Sequence, residues 1–345
     1  MEKIAVDAMG GDYAPLEIVL GAIQAVRDFR IPVGLVGAED QIREILKKNG
    51  ADKEELIEIR NTTEVIGMDE HPGMAYRKKK DASVSVGARM VRNGECGALV
   101  APGSTGAAVT AGLFGIGRIR GIERPAILTP IPNKKGGYTF LIDSGASSQA
   151  KPVNLVQNAV LGYWYAKRVH HIEDPKIGLL NIGTESIKGS PLVAEVFEML
   201  EKQNLFTGNC EGRDIPSGDF DVVVTDGFTG NVVLKFGEGV GGLFLTILKD
   251  AVEKGGITAK IGALLLKPAL KKYMMKRLDY AEYGGAPLLG LKGGLVICHG
   301  ASKAWAIRNA IHVAEQLASE HIPELVADAL KGESLTVADL KENDD

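Results

Sequence analysis

The chain has 345 residues, 45% hydrophobic and 24% charged, with a net charge of -4. That balance supplies a sizeable core and excludes disordered and fibrous classes, and the near-neutral charge argues against nucleic acid as a partner. Cys96, Cys210 and Cys298 lie far apart in no metal or redox spacing, so they read as small apolar residues of a reduced cytosolic protein.

At roughly 100–200 residues per domain, two lobes or one large α/β domain both fit this length. The first segment, MEKIAVDAMGGD, enters a strand directly and lacks a signal-peptide apolar region. No apolar run approaches the roughly 18 residues that span a bilayer. The expectation is a cytosolic protein, peripheral to a membrane at most. The 43 glycines cluster at strand-to-helix junctions and read as turns and close backbone approaches.

Residues 3–7 read as a buried strand that runs into Ala8-Met9-Gly10-Gly11-Asp12. A helix over 16–29 follows Pro15, with Ile18, Val19, Ile23 and Val26 on one face. Asp12 fits either a site edge or a cap of that helix. A strand over 32–37, a helix near 39–48 and a strand near 56–60 come next. Arg77 to Lys80 form a run of four cations, readable as a solvated face or as a docking patch for an acidic partner. A helix spans 83–93. A strand end at 98–101 then leads through Pro102-Gly103-Ser104-Thr105-Gly106 into a helix start. Hydroxyls and free amides at such a turn suit phosphate, although the Gly-Lys-Ser/Thr ending of a Walker A loop is absent.

Strands fit 126–131 and 138–143, and Asp143-Ser144-Gly145-Ala146-Ser147-Ser148 turns into a helix reaching about 167. A strand over 177–181 leads to a Gly/Ser turn carrying Lys188, placed to neutralise a phosphate or simply solvated. Residues 220–235, FDVVVTDGFTGNVVLK, then set a β-branched run, a polar glycine turn and a helical pattern in succession, one unit of a parallel α/β fold. Asp226, Gly230 and Asn231 fall at the strand's carboxyl end, where open α/β sheets bind ligands. Asp and Asn as ordinary turn residues and caps are the competing reading.

Residues 257–277 hold six Lys/Arg and no acidic residue. Ile261, Leu264 and Leu265 share a face, Pro268 is expected to break the helix, and Leu270, Tyr273 and Met274 resume the pattern. A dimer interface, a membrane-surface contact and a core-facing helix all fit. A strand over 295–298 delivers His299-Gly300-Ala301-Ser302 to a helix running to about 320.

These stretches together resemble the PlsX family of phosphate acyltransferases. The resemblance is carried by Asp7-Ala8-Met9-Gly10-Gly11-Asp12, Gly103-Ser104-Thr105-Gly106-Ala107, Leu179-Leu180-Asn181-Ile182-Gly183-Thr184-Glu185 with Lys188-Gly189, and Glu211-Gly212-Arg213-Asp214-Ile215. It continues in Asp226-Gly227-Phe228-Thr229-Gly230-Asn231 and Glu282-Tyr283-Gly284-Gly285-Ala286-Pro287-Leu288-Leu289-Gly290. The chain departs from the family's usual Asn at Ser104 and at Ser147, and from Gly-His-Gly-Ser-Ser at Cys298-His299-Gly300-Ala301-Ser302.

The resemblance implies a three-layer α/β fold, mostly parallel, similar to phosphate acetyltransferases and isocitrate dehydrogenase-like enzymes. One catalytic unit is expected over 1–332, with a helical protrusion at about 243–280 and an acidic flexible tail over 333–345. It further implies a homodimer, peripheral at the membrane, that moves a fatty acyl group from acyl carrier protein to inorganic phosphate. The acyl phosphate would feed a membrane-bound glycerol-3-phosphate acyltransferase in phospholipid synthesis, with no cofactor and no metal. The expected catalytic residues are Lys188, Asn231 and His299. Asp7, Gly10, Gly11, Ser104, Thr105, Gly106, Asp143, Ser147, Asp226 and Gly230 are expected to line the phosphate and substrate site, and Ile261, Leu264, Leu265, Leu270 and Met274 a membrane contact or acyl channel. Arg77–Lys80 or the cations of 267–277 would dock the acidic carrier protein. A decarboxylating dehydrogenase would need an Asp cluster and an Arg cluster that do not occur as local motifs. The competing readings that remain are a coenzyme A-dependent acetyltransferase and a membrane-surface scaffold.

Overall fold

A computed structural model describes residues 1–202, 206–275, 277 and 279–330; the expected tail over 333–345 lies outside them. The strands are β1 (Ile4–Asp7), β2 (Val33–Gly37), β3 (Ile57–Asn61), β4 (Ala98–Pro102), β5 (Ala126–Pro132), β6 (Tyr138–Ile142), β7 (Ile177–Leu180), β8 (Phe206–Cys210), β9 (Val222–Val224), β10 (Ala286–Leu289) and β11 (Gly294–Cys298). They form one eleven-stranded sheet in the order β3-β2-β1-β4-β11-β10-β5-β6-β9-β7-β8. The five strands from β3 to β11 are mutually parallel, as are the four from β6 to β8; antiparallel pairings of β10 with β11, β5 with β10, and β6 with β5 join the halves.

Side-chain alternation divides the core between the two faces of the sheet. Ile4, Val6, Ala98, Val100, Val296, Phe140, Ile142, Val222 and Val224 belong to one buried cluster that runs along the whole first face. On the second face the cover is split. Ala5, Leu99, Ala101, Leu295 and Ile297 belong to a cluster in the first half, and Leu141, Leu180, Cys210 and Val223 to another in the second. Between them β5 alternates Ile127, Thr129 and Ile131, and the Thr129 hydroxyl lies 2.6 Å from that of Ser144. The apolar cover is therefore interrupted by a polar floor where the halves meet.

The helices follow the apolar periods that the sequence carries. In α1 (Leu16–Phe29), Ile18, Val19, Ala22, Ile23 and Val26 are buried, each such side chain contributing about 1.5–3 kcal/mol of transfer free energy when large. The α1 stripe packs against the helix Ala304–Ser319. Helix α2 (Glu39–Lys48) covers β2 and β3, while α3 (Pro72–Lys78) and α4 (Ser83–Arg92) lie beside α5 (Thr105–Ala111), which continues as a π-helical turn, Gly112–Ile116. Helices α6 (Pro152–Arg168) and α7 (Pro191–Glu201) cover the second half.

Helix α8 (Gly227–Lys254) and helix α9 (Gly256–Leu270) form a hairpin that departs from three expectations. Helix α8 leaves the sheet after Val233, which packs on the Leu141 cluster, well before the expected 243; beyond Gly230 no α8 residue is fully buried. Pro268 lies inside α9 without ending it, and the π-helical turn Lys271–Met275 follows. Helix α8 is also long and apolar enough to cross a membrane by length and composition, with a mean hydropathy of 1.4 over its best 18 residues. Lys235, Glu238 and scattered glycines break that stretch into short runs in the sequence, yet they are too few to lower its average.

Candidate active site

Two groups of loops gather at the carboxyl ends of the strands. The first follows β1, β4 and β11. A β-carbon at Gly10 would lie 2.2 Å from the Pro102 carbonyl oxygen and 2.9 Å from Asp7 Oδ2, so only glycine lets the β1 and β4 turns meet. The Asp12 amide donates to the Gly300 carbonyl at 2.8 Å, tying in the β11 turn. Gly11, Gly103, Ser104, Gly106 and His299 thus share one edge. Ser104 caps α5, its hydroxyl accepting from the Ala107 amide at 3.3 Å, and Thr105 beside it is exposed. Asp12 does not cap α1, which starts after Pro15 with no side-chain cap.

Asp7 lies beneath this edge, 4% exposed. It accepts the Met9 amide at 3.1 Å. Burial pushes its carboxyl up to about 6, against the opposing pull of the Ser83 hydroxyl and the Met9 and Gly10 amides. His299 is exposed, and its Nδ1 accepts the Ala301 amide at 3.1 Å. A neutral ring in that state carries its proton on Nε2, which is left free to donate.

The second group follows β6, β9 and β7, three adjacent parallel strands. Asp143 is buried, and its carboxylate accepts the amides of Ile127, Gly145, Ala146 and Ser147 at 2.8–3.1 Å. Burial raises its pKa and those four bonds oppose the rise. The first turn of α8 rests on this residue: a β-carbon at Gly230 would lie 1.9 Å from the Asp143 carbonyl oxygen. Asp226 caps α8, accepting from the amides of Phe228 and Thr229 and from the Thr229 hydroxyl at 2.6–3.0 Å. Asn231, exposed, has its Cβ and Oδ1 3.5 Å from where a β-carbon of Gly145 would stand.

Lys188 is exposed on the β7 turn. That turn hangs from two buried amides: Asn181 Nδ2 donates to the Lys188 carbonyl at 2.9 Å, and Asn209 Nδ2 to the Glu185 carbonyl at 3.1 Å. The two loop groups are linked through Ala146, which packs on the cluster containing Ala108 and Ala111 of α5. By contrast, Ile261, Leu264 and Leu265 stand 54–76% exposed on α9, and Leu270 and Met274 are half-buried beyond them.

The profile of the family described as "Fatty acid synthesis protein" matches residues 2–325. Phosphate acyltransferase of Heliobacterium modesticaldum is 52% identical over 330 residues, 93% of this chain and 98% of the relative. Those of Pelotomaculum thermopropionicum and Aquifex aeolicus are 48% and 46% identical, covering 95% and 91% of this chain and 95% and 92% of their own lengths.

The chain belongs to the phosphate acyltransferase family.

Solved structures agree with that membership at the level of fold. A phosphotransacetylase from Streptococcus pyogenes aligns with a TM-score of 0.62 at 18% identity over 92% of this chain and 94% of its own. A branched-chain phosphotransacylase from Enterococcus faecalis aligns at 0.56 and 14% identity, over 92% and 99%. Within the phosphate acyltransferase pattern, one departure acquires a partner here that sequence reading missed. Arg124 Nη1 donates to the Ser147 hydroxyl at 2.9 Å, placing a guanidinium beside the Asp143 turn. The signal for Arg124 was only its place just before β5. The amide roles of Asn181 and Asn209 gave none, because both depend on how the chain folds back on them.

Proposed function

We propose that this chain transfers a long-chain acyl group from acyl carrier protein to inorganic phosphate, releasing acyl phosphate to a membrane-bound glycerol-3-phosphate acyltransferase. Family membership supports the reaction class. The observation that carries the mechanism is the division of labour between anions and donors. The carboxylates of Asp7, Asp143 and Asp226 each accept main-chain amides, whereas Lys188, Asn231, Thr105 and His299 are exposed donors.

A phosphate dianion needs no strong base to attack a thioester, and such a site suits it. Lys188, the hydroxyls of Ser104 and Thr105 and nearby amides hold the phosphate. One of its oxygens bonds to the carbonyl carbon while Asn231 donates to the oxygen that gains charge. The C–S bond then breaks and the sulfur leaves with its electron pair, met by the His299 Nε2 proton. Positioning and charge stabilisation supply the rate, and no covalent acyl-enzyme is required.

The exposed apolar hairpin supports two partner assignments. The α8 stripe Val232, Phe236, Val240, Leu243 and Ile247 recurs at helical spacing and is 48–72% exposed, which suits a second copy of the chain. On α9, Ile257, Leu264 and Leu265 beside Lys260 and Lys267 suit an anionic membrane surface. The enzyme is thus a cytoplasmic homodimer, peripherally bound.

The test is incubation with palmitoyl-acyl carrier protein, with and without inorganic phosphate, and trapping by hydroxylamine. Phosphate-dependent hydroxamate is expected. A folded protein that gives none with this donor but does with acyl-coenzyme A would overturn the carrier-protein assignment. A folded protein that gives none with either donor would sink the transacylase.

A further inference from the structure

We propose that the cations gathered around Tyr76, namely Lys80, Arg89 and Arg92, with the exposed ring of Phe114, form the surface on which the acidic carrier protein docks. This rests on the carrier-protein donor proposed above and selects one of the two basic stretches for it.

The cluster is assembled from three elements. Tyr76 on α3 is 7% exposed, and the Lys80 ammonium stands 5.4 Å from its ring centroid. Arg89 on α4 donates to the Lys80 carbonyl at 2.8 Å, and Arg92 to the Phe114 carbonyl at 3.3 Å. The π-helical turn is seated so closely on α4 that a β-carbon at Gly115 would lie 2.5 Å from Ala88 Cβ and 2.9 Å from the Tyr76 hydroxyl. That contact holds Phe114, 62% exposed, with its ring centroid 6.4 Å from that of Tyr76.

Their bonds go to carbonyls and to a ring; the nearby Asp81 carboxylate feels the charge of Arg89 but is held by the amide and hydroxyl of Thr63. Neighbouring Lys79 and Arg60 are instead paired with Glu70 and Glu95. Among the described residues, Lys80, Arg89 and Arg92 are in no salt bridge. Preset cations around one aromatic anchor suit an acidic protein face, because such charges steer encounter and fix register. The other basic stretch carries its cations among large exposed aliphatic side chains, the chemistry of a lipid surface.

The patch also lies one helix away from the site. The first residue of α3, Pro72, sits where its Cγ would be 2.6 Å from a β-carbon at Gly106. From Thr105 to Phe114 the chain advances nine residues, roughly 14 Å at helical rise. A thioester on a long flexible arm crosses such a span.

The experiment compares the wild type with Lys80→Glu/Arg89→Gln/Arg92→Gln and with Phe114→Ala, using palmitoyl-acyl carrier protein and palmitoyl-pantetheine. The triple variant is expected to raise KM for the carrier-protein donor by about tenfold or more, and to lose the salt dependence of that KM, as removal of steering charges does. Phe114→Ala raises it by several-fold. Rates with the pantetheine donor stay at the wild-type level in both, which shows an intact fold and site. An unchanged KM for the carrier protein in either variant overturns the inference. So does a triple variant that keeps this KM and loses only binding to anionic vesicles. A wild type that turns over palmitoyl-pantetheine but not the carrier-protein donor would instead remove the donor assignment on which the patch rests.

Discussion

The carbonyl oxygen of Asp143 occupies the space that a side chain at Gly230 would need, 1.9 Å from the ideal β-carbon position. The turn after β6 and the helix after β9 are thereby locked together, with Asn231 one residue beyond the contact. Gly230→Ala must push α8 away from the turn. Misplacement of a catalytic donor by even 1 Å costs on the order of 100-fold, so kcat with acyl carrier protein should fall by about that factor. A wild-type kcat in this variant would show that the contact does not position Asn231.

Lys188 and Asn231 are both exposed, so truncating either should leave thermal stability unchanged. Asn231→Ala is expected to lower kcat by roughly 100- to 1,000-fold, the loss of one oxyanion donor. Lys188→Ala should raise KM for phosphate as well as slow turnover. Steady-state kinetics with phosphate varied separates the two effects, and wild-type constants would take the residue concerned out of the mechanism.

Two groups make stability depend on pH in opposite directions. The Asp7 carboxyl is raised from 3.8 to about 6 by burial, so the folded protein holds a proton that the unfolded chain releases. Its contribution is complete below pH 3.8 and is lost as pH rises through 6, by at most roughly 3 kcal/mol. His170, exposed at one edge, is lowered from 6.5 to about 4, first by desolvation among the rings around it and then by the charge of His171. It packs against Tyr138, Phe140 and Tyr165, and its contribution is complete above pH 6.5 and is lost as pH falls through 4. Relative to the wild type, Asp7→Asn should gain stability between pH 4 and 6, and His170→Phe as pH drops across the same window. Urea unfolding at several pH values measures both, and parallel curves for variant and wild type would contradict the assigned shifts.

The apolar stripe of α8 gives a test of assembly. Phe236→Asp/Leu243→Asp should convert a dimer to a monomer in sedimentation, since each lost side chain forfeits about 1.5–3 kcal/mol of burial and a two-fold interface counts it twice. Leu264→Glu/Leu265→Glu should leave the dimer intact and abolish co-sedimentation with anionic vesicles. A monomeric wild type would dismiss the first assignment, and undiminished vesicle binding the second.

How much of this was legible in the sequence depended on whether the signal was local. The β-branched run Val222-Val223-Val224 and the stripe of α1 announced their elements, because burial on one or both faces dictates composition directly. Strand β8, Phe206-Thr207-Gly208-Asn209-Cys210, gave no such signal, and neither did Ala286-Pro287, which begins β10 directly after two glycines. Pairing direction was equally silent, since nothing in Ala126–Pro132 states that its neighbours run against it. Asp143 and Asp226 were visible as candidates at strand ends. For Asp226 the cap was one of the two readings and the structure shows it; the four amides that Asp143 accepts were not visible, because they depend on the path of the turn around it. Tyr76 and Phe114 are 38 positions apart, so only the fold brings their rings together.

The pairing of β11 with β4 also bears on how the protein is made. Gly294 to Cys298 lie beside Ala98 to Pro102, so a strand complete within the first third of the chain waits for a neighbour from its last sixth. During translation the nascent amino-terminal half carries an unpaired edge at β4 for nearly 200 residues of synthesis. Helix Ala304–Ser319, the cover of α1, arrives later still. The sheet is therefore closed only late in synthesis, and the chain in which β4 still stands as an open edge is the form most exposed to mispairing.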